Sequence, residues 1–320
     1  MRMDTDKNQI DVVVIGELNV DIILDGIESF PVIGKEILAK RMSVTLGSSS
    51  AIFANNLSSL GPKVSFIGKV GEDNFAQVVL SILESRNVDT SRIIRSSSLS
   101  TGATIVLNYN QDRANITYPG AMHDLHLEDV DFDYLSRAGH MHFSSCFLQP
   151  GIRSDLVVLF RHTKELGLTT SFDAQWDPEE KWDLPLEELL PFVDLFLPNM
   201  KEFKFLTHSN TVEEGINKLK SYSNKIVIKN GIDGSLAWDG KEIIRQPAFI
   251  NDRVVDCVGA GDSFNAGFIK DFIDNKPIKK CLETGALAGA VNTTMAGGIT
   301  AFQNIETIRK IALERFNYTL

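Results

Sequence analysis

The segment Val254-Val-Asp256-Cys-Val-Gly259-Ala260-Gly261-Asp262-Ser-Phe-Asn-Ala-Gly267-Phe268 joins an apolar run to a helix through three small residues. Beyond the turn, Phe264, Phe268 and Phe272 recur at the spacing of one buried helix face. Gly259, Ala260 and Gly261 therefore fall where a turn becomes a helix N-terminus, with free backbone N–H groups and the positive end of the helix dipole. Glycine lets the backbone approach a ligand closely. The first helical turn also carries a carboxylate, Asp262. An acid beside an anion-binding nest is poorly suited to tight phosphate binding. It suits deprotonation of a hydroxyl while N–H groups stabilise charge on a transferring phosphoryl group.

Glycine-rich turns before helices are common, and an Asp at a helix start often acts only as a cap. The match here runs further. Asp256, Gly259, Ala260, Gly261, Asp262, Ser263, Phe264, Asn265, Gly267 and Phe268 together resemble the C-terminal signature of the PfkB (ribokinase-like) carbohydrate kinases.

Other segments fall in that family's order. Asp11-Val-Val-Val-Ile15-Gly16 reads as a buried parallel strand. The alternation in Glu17-Leu-Asn19-Val-Asp21 puts Asn19 and Asp21 on one strand face, able to grip a polyol. A half-solvated strand has the same pattern; the resemblance assigns the pair to sugar binding. Gly47, Ser48 and Ser49 precede a helix with an apolar face of Phe53, Leu57 and Leu60, ended by Gly61-Pro62. Their hydroxyls and amides can cap that helix or meet a sugar. The place resembles the family's Gly-Gly-x-x-x-Asn signature, with Ser48 and Ile52 as departures. Gly68-Lys-Val-Gly71-Glu-Asp73 matches a segment expected to build the fold rather than do chemistry.

Downstream, strand and helix patterns alternate as in a doubly wound parallel sheet. Periodicity predicts a helix over 152–166 and strands over 168–172 and 193–197. The last delivers Asn199 and Glu202 to the C-terminal edge of the sheet, where ligands bind in such folds. Asn-x-x-Glu is also an ordinary capping box. By resemblance, Asn199 reaches phosphate and Glu202 orients water on Mg²⁺, an ion that takes few protein carboxylates. Lys229, Gly231 and Gly234 lie in a strand–loop–strand segment that would approach ATP phosphates, or be a plain turn. The small-residue stretch ending at Asn292 would border adenine, with Asn292 meeting the base. Asp256 and the Val258 carbonyl correspond to positions for a monovalent cation such as K⁺.

Composition bounds the function. The chain has 320 residues, 43% of them hydrophobic, and a net charge of −10. Its pI near 5.1 leaves no basic field for nucleic acid or anionic lipid. No apolar run approaches the ~20 residues of a membrane span, and the first residues carry no apolar signal core. The three cysteines, Cys146, Cys257 and Cys281, suggest reduced thiols and a cytoplasmic protein. The histidine pairs His123/His126 and His140/His142 lack a matching acid set for a metal, so surface or packed roles are expected. The acidic run at 177–188 reads as a solvated face. No Gly-x4-Gly-Lys-Ser/Thr loop is present, which excludes a P-loop kinase.

The resemblance implies a three-layer α/β/α sandwich with a mostly parallel central sheet and a small β lid. It places the core at 8–16, 47–99 and 122–320 and the lid at 17–46 and 100–121. It further implies an ATP- and Mg²⁺-dependent sugar kinase, dimeric through its lid, with Asp262 as general base. Nucleoside phosphorylation, or sugar or nucleotide binding without catalysis, are the alternatives.

Overall fold

A computed structural model describes residues 10–109 and 112–320. Residues 8 and 9 of the expected core and 110–111 of the expected lid lie outside the described residues. The strands in chain order are β1 (Ile10–Ile15), β2 (Asn19–Asp25), β3 (Arg41–Leu46), β4 (Val64–Gly71), β5 (Asp89–Ser96) and β6 (Gly102–Tyr109). They continue with β7 (Asp112–Tyr118), β8 (Ala138–Ser144), β9 (Thr169–Asp173), β10 (Leu195–Phe196), β11 (Ile226–Lys229), β12 (Ser235–Trp238) and β13 (Ile243–Gln246).

Nine of these form one sheet in the order β13-β12-β11-β10-β9-β8-β1-β4-β5. The pairs from β11 through β5 are parallel, and β12 and β13 add an antiparallel edge. The continuous apolar run of β1 explains its interior place, since both of its faces are covered. Val12 and Val14 join one core cluster, with Phe53, Leu57, Phe264 and Phe268. Val13 and Ile15 join the other, with Phe143, Phe160, Phe172 and Phe203. Helices thus cover both sides of the sheet, and the three-layer α/β/α architecture follows.

The second sheet has the order β3-β2-β6-β7. Its period of two separates a polar face, with Asn19, Asp21, Thr104 and Thr117, from an apolar one, with Val20, Ile22, Val44, Ile105 and Ile116. Asp73 ties the two sheets together. Its carboxylate caps the Asn74–Ser85 helix through the Ala76 N–H (2.9 Å) and accepts from the Thr101 N–H (2.7 Å) just before β6.

Several local readings are corrected. The helix expected over 152–166 is two, Pro150–Arg153 and Leu156–Glu165, separated by a turn at Ser154 and Asp155. The run 193–197 yields only a two-residue strand, with the Asp194 carboxylate turned to Lys164 and the Thr170 N–H. Val254 and Val255 are more than half exposed and belong to no strand. In the acidic run, Glu179, Glu180, Asp183, Glu187 and Glu188 are exposed as expected, whereas Asp177 is buried, accepting the N–H groups of Glu179, Lys181 and Trp182. His140 and His142 are packed, both bonded to the Ser171 hydroxyl at 2.7 Å. No helix among the described residues is long and apolar enough to cross a membrane.

Candidate active site

Gly259 is the N-cap of the Ala260–Ile273 helix, with φ 72°. A Cβ there would lie 2.7 Å from Gly298 Cα, so glycine is required both by conformation and by contact. The first-turn N–H groups have no intrahelical acceptors. Of the expected donors, the Ala260 N–H already reaches back to the Cys257 carbonyl at 3.3 Å. Ile52, standing where the resembled signature has Asn, is buried beneath this turn; its side chain is what a Cβ on Gly298 would strike.

Two cavities meet at the 257–261 turn. One, of about 280 Å³, is lined by Gly231, Gly234, Cys257, Ala260, Gly261 and Thr293 among others. The other, of about 200 Å³, is lined by Glu17, Asn19, Asp21, Ser49, Arg113 and Val258 among others. The turn is thus a wall with Cys257, Ala260 and Gly261 on one side and Val258 on the other.

Asp262 is 9% exposed, and its Oδ1 accepts from Gln175 Nε2 at 3.0 Å. Burial holds its carboxyl well above the usual carboxylate range; Asp173, Glu17 and Glu202 push the same way and Lys229 opposes them. The neighbouring Asp173, at the end of β9, is fully buried. Its Oδ2 accepts from Lys229 Nζ (2.5 Å), Asn265 Nδ2 (2.6 Å) and Gln175 Nε2 (3.1 Å), while Oδ1 has no partner among the described residues. Lys229 lines the 280 Å³ cavity, yet its ammonium is paired with Asp173 and also reaches Asn265 Oδ1 at 3.3 Å. Its charge is therefore shared with a buried carboxylate, which sequence spacing did not reveal.

In the smaller pocket, Asn19 and Asp21 share the polar face of β2, and Asn19 Nδ2 donates to Asp21 Oδ1 at 3.2 Å and Thr104 Oγ1 at 3.1 Å. Burial raises the Asp21 carboxyl to about 6. Gly47 packs against this pair so closely that a Cβ would fall 2.2 Å from Asp21 Oδ1. Ser48 has φ 70°, which explains the glycine expected at its place, and its hydroxyl is committed to the Glu17 carbonyl (2.6 Å) and the Ala51 N–H (3.0 Å). Ser49 donates from both N–H and hydroxyl to Glu17 Oε1 at 2.8 Å. Glu17 itself, Thr104, Arg113, Asn115 and Thr117 also line the pocket and were not singled out from sequence. The signal existed: Arg113, Asn115 and Thr117 alternate along β7, opposite the polar face of β6.

Asn199 and Glu202 form a reciprocal capping box at the Met200–Leu206 helix, with the Asn199 N–H donating to Glu202 Oε2 at 2.8 Å. Burial, then Asp173, pushes the Glu202 carboxyl up to about 7. Asn292 is fully buried and does not line the 280 Å³ cavity; its Nδ2 donates to the Val258 carbonyl at 2.5 Å, and the adjacent Thr293 lines the cavity. Asp256 accepts from the Val258 N–H (2.9 Å) and the Gly297 N–H (2.8 Å). Asp256 therefore ties the turn to the 297–298 loop, while the Val258 carbonyl ties it to Asn292.

The sequence matches the pfkB family carbohydrate kinases over residues 9–305. Among relatives, it is 28% identical to the 5-dehydro-2-deoxygluconokinase of Geobacillus thermodenitrificans over 261 residues, 77% of each chain. The structure is similar to Arabidopsis thaliana ribokinase complexed with ribose and ATP, with a TM-score of 0.82, 24% identity, and 94% and 98% of the two chains covered. It is also similar to a putative ribokinase II from E. coli in complex with ATP and Mg²⁺, with a TM-score of 0.84, 22% identity, and 96% and 100% covered. The sandwich and its small sheet thus have the ribokinase fold, and the family match spans nearly the whole chain. This protein belongs to the pfkB family of carbohydrate kinases.

Proposed function

We propose that this kinase transfers the γ-phosphoryl group of ATP to a hydroxyl of a sugar or sugar acid, with Asp262 as the general base. The observation that carries this reading is the shared turn: one short wall of helix-start backbone separates two cavities, with a buried carboxylate on the next residue. In this reading ATP occupies the 280 Å³ cavity and the acceptor occupies the polar pocket held by Asn19, Asp21, Gly47 and Ser49. Asp262 takes the acceptor proton, and the Gly259–Gly261 backbone stabilises charge spreading over the phosphoryl oxygens. Asn199, Gly231 and Gly234 border the phosphates.

A divalent ion fits this arrangement. Mg²⁺ keeps several waters and needs only one or two carboxylates; Glu202 is a buried carboxylate near enough to Asp173 for the two charges to repel, and Asp173 Oδ1 has no partner among the described residues. Bound there, Mg²⁺ would neutralise phosphate charge; Glu202 would orient its waters. A nucleoside acceptor is disfavoured, since the described residues lining the acceptor pocket include no aromatic side chain to stack a base. A panel of hexoses, pentoses, sugar acids and nucleosides, assayed for ADP release, tests the reading. Turnover on a sugar or sugar acid is expected; sugar binding without ADP release with every acceptor would contradict it.

Gly47→Ala should raise the acceptor KM about tenfold, as a methyl forces apart the Asn19–Asp21 pair, the equivalent of one lost hydrogen bond. Initial-rate kinetics check this, with the ATP KM expected to stay near native.

The lid's other face supports a homodimer formed through it. Met42, Ile116 and Tyr118 are each more than half exposed there, an apolar patch of the kind that marks an interface. Ile116→Lys should halve the mass seen by light scattering, whereas an unchanged mass would remove the lid from the interface.

A further inference from the structure

Gln175 lies two residues beyond β9 with φ 61°, left-handed backbone that a residue with a side chain adopts at a cost. Such outliers persist where their surroundings impose them. Here the next residue, Trp176, packs edge-on against Trp182 at 4.9 Å, and Trp182 stacks on Phe205 at 5.0 Å. The result is the aim of one amide: Gln175 Nε2 bridges Asp262 Oδ1 at 3.0 Å and Asp173 Oδ2 at 3.1 Å. Asp173 is fixed in turn by Lys229 and by Asn265, which lies on the same helix as Asp262. No other hydrogen-bond partner of the Asp262 carboxylate occurs among the described residues.

We propose that Gln175 is a positioning residue for phosphoryl transfer, pinning Oδ1 of Asp262 to the end of β9 so that Oδ2 is the oxygen presented to the acceptor hydroxyl. This rests on the assignment of Asp262 as base. In the step it serves, the acceptor proton passes to Oδ2 and the acceptor oxygen bonds to the γ-phosphorus. The bond to the β–γ bridging oxygen breaks, and ADP leaves with its electrons. A neutral amide suits the task. The charged groups facing Asp262 are Asp173, Glu17, Glu202 and Lys229, and a second cation there would lower the basicity of the carboxylate. An amide fixes the geometry without that charge.

Gln175→Met keeps the length and removes the donor. Turnover should fall ~10–100-fold, the scale of a misplaced reacting group, with both KM values within about twofold of native. The acid limb of the pH–rate profile should move to higher pH, because a donor to the ionised carboxylate is gone. Gln175→Gly relieves the left-handed backbone, so its melting temperature should not fall while its kcat does. In an Asp262→Asn background, Gln175→Met should cause no further loss. Native kcat with an unmoved acid limb in Gln175→Met, or a full additional loss in the Asp262→Asn background, would overturn the proposal. Near-native turnover of Asp262→Asn alone would instead remove the base assignment beneath it.

Discussion

Asp262→Asn should lower kcat by ~10²–10⁴-fold, the range for loss of a general base, while leaving both KM values close to native. The substitution is isosteric and keeps an oxygen able to accept from Gln175 Nε2, so the 3.0 Å contact and the helix start survive. What disappears is a basic oxygen beside the turn between the two cavities. A second, opposite effect should accompany it. Burial raises the folded-state pKa of Asp262, so the folded chain binds that proton more tightly than the unfolded chain. The contribution of this group is therefore most favourable at low pH. It is lost as pH rises from the ordinary carboxylate value of 3.8 through the folded value. Asn has nothing to ionise, and Asp262→Asn should melt above the native protein at pH 8 but not at acid pH. A variant that is more stable at alkaline pH and nearly inactive is the signature of a strained catalytic group. Retention of near-native turnover would remove Asp262 from the chemistry.

Lys229→Met is expected to have the largest effect on stability. Lys229 Nζ and Asp173 Oδ2 are 2.5 Å apart, with Asp173 fully buried and its Oδ1 already without a partner among the described residues. Removing one member of a buried ion pair leaves the other desolvated, at a cost of about 3–5 kcal/mol. Urea unfolding should show a loss of that size. Asp173→Asn added to Lys229→Met should restore part of it, since the stranded charge goes too. Turnover should also drop, because Lys229 is the positive neighbour that opposes the raised pKa of Asp262. A change within about 1 kcal/mol would show that Asn265 and Gln175 alone can hold Asp173.

What was legible in the sequence was what local patterns carry. Gly259-Ala-Gly-Asp262 announced a helix start because turn residues and a four-residue apolar period adjoin each other, and both are properties of one segment. Asn19 and Asp21 could be put on one face because a strand fixes side-chain direction every second residue. The pairing of Lys229 with Asp173 was not legible, being 56 residues apart and set by strand order in the sheet. The aim of Gln175 at Asp262 was not legible either, because it depends on a positive φ that a glutamine does not advertise. The apolar run at Val254 and Val255 is more than half exposed, and Val254 lines a cavity instead of the core. Asn292 was placed by its helix rather than by its helix face, which turns its amide to the Val258 carbonyl. Glu17 sat unremarked beside Asn19, yet its carboxylate accepts from the hydroxyls of Ser49 and Ser50.

The most direct measurement is the pH dependence of kcat/KM for the phosphorylated acceptor at saturating ATP and Mg²⁺, in the native protein and in Asp262→Asn. The account predicts a rising limb governed by a group well above the usual carboxylate range, absent from the residual activity of the variant. A native profile flat down to ordinary carboxylate pH, or a limb that survives in Asp262→Asn, would contradict it.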